Sequence, residues 1–206
     1  MAVHPVGHGL MSPQEMENLG RLNRAVHGLG IASLPLLFLG ALALTRQIAD
    51  AGRLAWAALV FYGFGAAAIM IAASMSGFVA SDVMSKLVAG DPLMETRRLF
   101  LDYTFRINQA FASVSVVASS VAIILWSIVW IKARGPAAAL GYYGLALGTL
   151  TIGFLFAGHL RLDVHGFGLV VLAQSIWFII SGVMLIRSRG ADAGPDHLGV
   201  GGAAAS

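Results

Sequence analysis

The sequence predicts an all-α integral membrane protein: a bundle of about five transmembrane helices, with short amphipathic interfacial helices on its outer side. Three observations carry that expectation. Hydrophobic residues make up 58% of the 206 and charged residues only 11%, against ~25% charged in a soluble domain. Mean hydropathy is +0.81. Five runs (25–45, 54–78, 104–131, 137–157 and 166–186) each reach the ~20 mostly apolar residues that a spanning helix needs. Residues 1–189 then form one transmembrane helical domain. Residues 190–206, rich in Gly and Ala, read as a disordered tail.

Local chemistry sets the ends of each element. Ser12-Pro13-Gln14-Glu15 is a capping-box pattern with proline at the first helical position. The helix it opens carries Met16, Leu19, Leu22 or Asn23, and Val26 along one side and runs on into the first span. Ala41-Leu42-Ala43 looks like a signal-cleavage site, but the apolar run around it is too long for a signal peptide. After the second span, residues 82–89 set Val83, Met84, Leu87 and Val88 beside Asp82 and Lys86. That pattern predicts a short amphipathic helix on the membrane surface. Asp91-Pro92 reads as an N-cap and first turn, so that 92–131 forms one long helix. Gly135-Pro136 ends the third span and starts the fourth. Gly144-Leu145-Ala146-Leu147-Gly148, and Ala112 with Ser115 and Ser119, are small-residue surfaces for helix packing. Tyr142, Tyr143, Trp126 and Trp130 suggest an aromatic belt at the inner interface.

Several classes of function drop out. The isoelectric point near 9.7 comes from Lys and Arg scattered singly and in pairs, without a basic patch, so nucleic acid is not an expected partner. The absence of cysteine excludes disulfides, iron–sulfur clusters and thiol chemistry. No nucleotide loop, zinc-protease motif or nucleophile elbow is present. Arg46, Arg53, Lys132, Arg134, Arg187 and Arg189 fall at one set of helix ends. By the positive-inside rule that side is cytoplasmic, with the N-terminus outside and the C-terminus inside. Arg21, Arg24, Lys86, Arg97, Arg98, Arg106 and Arg161 lie at the other ends and pull against this assignment. The expected location is a multi-pass protein of a plasma membrane of the bacterial inner-membrane kind, with the bilayer as its first partner.

Polar residues gather in the outer half. On the third span Asp102, Arg106, Gln109, Ser113 and Ser120 share one helical face, and Asp102 and Arg106 stand at i and i+4, where carboxylate and guanidinium pair. This stripe is read either as an interfacial pair or as the wall of a water-accessible cavity. His-Gly-x-Gly occurs twice, at His27-Gly28-Leu29-Gly30 and His165-Gly166-Phe167-Gly168, each at the outer end of a span. Imidazole ligates metals and haem iron, and glycine lets a backbone or flat ligand come close. Helix-packing glycines beside interfacial histidines are the plainer reading. His4, His8 and His197 fall in the tails.

The leading expectation is an outward-facing cavity that binds a small polar ligand or a cofactor, haem or a metal ion. In it His27, His159 and His165 hold the cofactor, and Asn23, Asn108, Gln109 and Gln174 bind substrate. Asp102, Arg106 and Asp163 then act in oxidoreductase or isomerase chemistry, with Asp163 orienting His165 or capping the fifth spanning helix. A non-enzymatic accessory subunit, in a homo-oligomer or a larger membrane complex, is the second reading. A small transporter is the third, disfavoured by the lack of paired interrupted helices.

Overall fold

A chain this apolar must satisfy its backbone internally, and helices do so within each segment. The computed structural model describes residues 13–48, 52–86, 92–133 and 135–192, and among these the chain is helical without strands. The expectations resting on Ser12, His4, His8, 87–91, Arg134, His197 and the tail from 193 lie outside the described residues.

Six α-helices follow one another: α1 Pro13–Gln47, α2 Arg53–Ser74, α3 Ala80–Ser85, α4 Met94–Ala133, α5 Pro136–Phe156 and α6 Val164–Asp192. A π-helical segment, Met75–Val79, joins α2 to α3 without a break. Five stretches are long and apolar enough to cross a membrane: Glu17–Gln47, Arg53–Ser85, Met94–Ala133, Ala137–Phe156 and His165–Arg187. Residues 82–85 are therefore not a separate surface helix. They complete the same helical rod as the second span, because nothing between Ser74 and Ala80 interrupts the backbone beyond the π turn. Helix α6 likewise extends through Gly190 to Asp192, past the expected start of the tail.

Helix α4 is the centre of the bundle. In its most apolar window 61% of residues are buried, against 17–28% in the other four. Small residues let its neighbours approach. A Cβ at Gly65 of α2 would lie 3.2 Å from Ser115 O, and one at Gly141 or Gly148 of α5 would press on the α4 backbone at Ser127 and Ser120. At Gly135 the chain takes φ +68°, a left-handed conformation that glycine adopts freely, and Pro136 follows as the first residue of α5.

The side-chain pairings fix which helix ends meet. The start of α1 lies by the π segment and α3, through Asn23 with Ser76 and Ser81. The start of α4 meets the α5–α6 connection through Gln109 and Leu162. These ends form the N-terminal face. At the opposite, C-terminal face Trp126 of α4 reaches Thr45 of α1, and Trp177 of α6 reaches Leu140 of α5. Two apolar clusters result. One, toward the C-terminal face, gathers Leu44, Leu59, Ile123, Trp126 and Trp177; the other, nearer the N-terminal face, holds Ala72, Ala112, Val116, Leu162 and Val170.

Trp126 and Trp130 are not belt residues. Both are buried in the first cluster, where Trp126 stacks on Trp177 with centroids 6.0 Å apart and meets Tyr62 and Phe178 edge-on or tilted. Tyr142 and Tyr143 are exposed at that end, as is Trp56 at the start of α2. Periodicity alone could not separate the two cases, because an indole suits an interface and a core equally well.

Candidate functional site

The N-terminal face is built by three local devices. Helix α5 ends at Gly158, whose φ of +74° turns the chain, and the His159 and Leu160 N–H groups donate back to Phe154 O. Leu162 then plugs the core, and Gln109 Nε2 donates to its carbonyl at 3.2 Å. Asp163 caps α6: its Oδ1 accepts from the backbone N–H of Gly166 at 2.9 Å and of His165 at 3.1 Å. The Gly166 bond, with that from His165 and the nearby His165 and Arg161 charges, holds the Asp163 carboxyl below the usual carboxylate range, against a smaller opposing effect of desolvation.

Opposite this loop, Asn23 ties α1 to the π segment. Its Nδ2 donates to Ser76 O and to Ser81 Oγ, each at 2.8 Å. A change from α to π winding leaves a carbonyl short of a helical donor, and an amide side chain is one way to satisfy it. His27, one turn on, packs against Gly77 so closely that a Cβ there would overlap its Cβ and Cγ. Its Nδ1 lies 2.8 Å from Asn23 O. A carbonyl only accepts, so Nδ1 carries a hydrogen, and in the neutral ring Nε2 presents a lone pair.

Between these walls lies a cavity of about 500 Å³, here the polar cavity, lined by His27, Ser76, Asn108, Gln109, Arg161 and Asp163 among apolar residues of α1, α2 and α4. Asn108 is only 8% exposed, and among the described residues its carboxamide has no hydrogen-bond partner. Arg161 likewise makes no ion pair among them.

Of the residues expected from sequence, His27, Asn108, Gln109 and Asp163 come together here. Gln174 lies deeper, in a second cavity, where its Nε2 donates to Ser120 Oγ at 3.2 Å. Asn23 lines neither cavity and serves as the clamp just described. Asp102 and Arg106 do pair, Nε to Oδ2 at 2.8 Å, but with side chains 55% and 74% exposed they lie outside both cavities. His159 and His165 are exposed and line neither cavity. Haem or metal ligation by the three histidines gains no support, since among the described residues no three His, Asp or Glu side chains converge. Arg161, Ser76 and the π turn belong to the site without having been assigned to it from sequence. A π turn has no sequence signature; only the pairing of Gly77 with His27 hints at it. Compared with known family models, with curated proteins and with solved structures, the chain matches none.

Proposed function

We propose that this chain is a polytopic membrane protein that binds a small ligand through a polar group held in the cavity at its N-terminal face. The observation that carries the reading is Asn108, a residue only 8% exposed whose carboxamide has no hydrogen-bond partner among the described residues, in a cavity that also offers His27 and Arg161. A carboxamide that faces a cavity with no protein group bonded to it is open to a ligand or water. The cavity volume falls within the ~300–1,000 Å³ of ligand sites. Binding suits this geometry better than turnover. The titratable groups around the cavity are His27, Arg161 and Asp163, and Asp163 is already engaged in capping. The exposed Leu, Phe and Ile side chains along all five long helices suit a lipid surround. Arg46, Arg53, Lys132 and Arg187 at the opposite end favour an outward-facing cavity.

The chain has no cysteine, so single-cysteine chemistry tests this cleanly. Asn108→Cys in intact cells is expected to react with a charged, membrane-impermeant thiosulfonate, whereas Ala122→Cys, in the core, stays unlabelled. An unreactive Asn108→Cys in folded protein, on either side of the membrane, would sink the ligand-binding reading. Labelling from the cytoplasmic side alone would reverse the orientation.

A further inference from the structure

The polar cavity has a neighbour that shares part of its wall. A second cavity of about 640 Å³ runs toward the C-terminal face between α1, α2, α4 and α6, and Leu34, Leu37, Ile69 and Phe167 line both. Its wall is mostly hydrocarbon, from residues such as Leu44, Val116, Val170, Phe178 and Leu185. Several of its polar side chains already donate inside the protein: Gln174 Nε2 to Ser120 Oγ, Ser181 Oγ to Trp177 O and Ser119 Oγ to Val116 O. The cavity therefore offers little to a polar solute and much to a chain of methylenes.

The cavity also opens sideways. Leu36 of α1 and Val171 and Ile179 of α6 belong to its wall, yet they are 71%, 43% and 65% exposed. They stand near the middle of their helices, at the depth of the hydrocarbon when both helices span. Pro35 on α1, lacking an N–H, leaves the Ile31 carbonyl without its helical donor at the level where the two cavities join.

Resting on the ligand-binding reading above, we propose that the site takes one amphipathic lipid from the bilayer. Its hydrocarbon chain lies in the apolar cavity between α1 and α6. Its head, bearing hydroxyl or carbonyl oxygens, meets Asn108, His27 and Arg161. The polar groups sit at one end of a joined pair of cavities and the methylene surface at the other, which is the shape of such a molecule and of no small soluble solute.

Intact-complex mass spectrometry of the detergent-purified full chain tests this, with 1-oleoylglycerol as the long-chain probe and monobutyrin as the short one. Gly182 and Gly40 line the apolar cavity, and a Cβ at either meets no atom within 4 Å. Gly182→Phe and Gly40→Phe should then fill the cavity without striking its wall. The expected result is one 1-oleoylglycerol per wild-type chain and little monobutyrin. In each filled variant occupancy falls by at least about tenfold, the equivalent of two methylenes denied burial. In lipid-free micelles Asn108→Cys reacts with the thiosulfonate equally with and without the filling substitutions, and added 1-oleoylglycerol slows that reaction only where the cavity is not filled. Equal occupancy in wild type and both filled variants overturns the lipid proposal while leaving the polar cavity standing. A dimer mass lost in the filled variants, with no bound lipid, overturns it in favour of a second copy of the chain. Asn108→Cys that stays unreactive in folded, lipid-free protein removes both readings.

Discussion

At the scale of single residues, two buried indoles in one cluster stand in opposite positions. Trp126 Nε1 donates to Thr45 Oγ1 at 3.2 Å, and Thr45 passes its own hydrogen to Ala41 O at 2.9 Å. Trp130 Nε1 has no partner among the described residues, although the residue is buried. Exchange for phenylalanine removes the N–H from both but a hydrogen bond from only one. Trp126→Phe should cost ~1–3 kcal/mol, through the lost bond and the imperfectly filled space. Trp130→Phe removes an unsatisfied donor, which offsets its lost packing and leaves a change below ~1 kcal/mol. Thermal unfolding of both variants in the same detergent checks the order; a Trp130→Phe loss as large as that of Trp126→Phe would contradict it. Neither role was legible in the sequence. Trp126 and Trp130 are four apart near a helix end, the same pattern a membrane-interface belt makes. What separates them from Tyr142 and Tyr143 is the approach of α1 and α6, a long-range fact that no local spacing carries.

At the scale of elements, the helix ends were the most readable part of the chain. Pro13 and Pro136 stand at first helical positions as the sequence implies, and Asp163 caps α6. The glycines of α5 and the serines of α4 pack as small-residue surfaces should. The π turn was not readable, and so residues 82–85, expected to begin a surface helix, continue the second long helix instead. The Asp163 cap gives a prediction with a definite sign. Its carboxyl is held low in the folded chain, so its stabilisation is fully present above the unfolded value near ~3.9 and fades as pH falls through the lower folded value. Asp163→Ala should therefore unfold at a lower temperature than wild type from about pH 5 to 7. The gap should narrow below about pH 4. Melting curves across that range test it, and a gap that widens in acid would refute it.

At the scale of the whole molecule, the five long helices are not held equally. Helices α2 and α5 are seated on α4 by glycine-to-backbone contacts, whereas the open seam between α1 and α6 is lined by exposed leucine, valine and isoleucine. The pattern of five long apolar helices followed from run length and hydropathy. The seam did not, because side chains facing lipid and side chains facing an apolar cavity share one composition. Two glycines distinguish the tight part from the loose one. At Gly144 an added Cβ would strike Ser127 Oγ and Trp177 Nε1, joining α5, α4 and α6 in one collision. At Gly77 it would strike only His27, where α1 rests on the π turn. Gly144→Ala should thus lower global stability by ~1–3 kcal/mol, since the buried Trp177 ring, bonded to Leu140 O, has no room to step aside. Gly77→Ala should lift the start of α1 while sparing α4 and α5. Hydrogen exchange separates the outcomes: protection falls throughout the bundle in Gly144→Ala, and falls mainly over α1 and the π segment in Gly77→Ala. A Gly77→Ala effect spread evenly over α4 and α5 would mean that α1 is built into the same cooperative unit, and that the seam with α6 is not a separable opening.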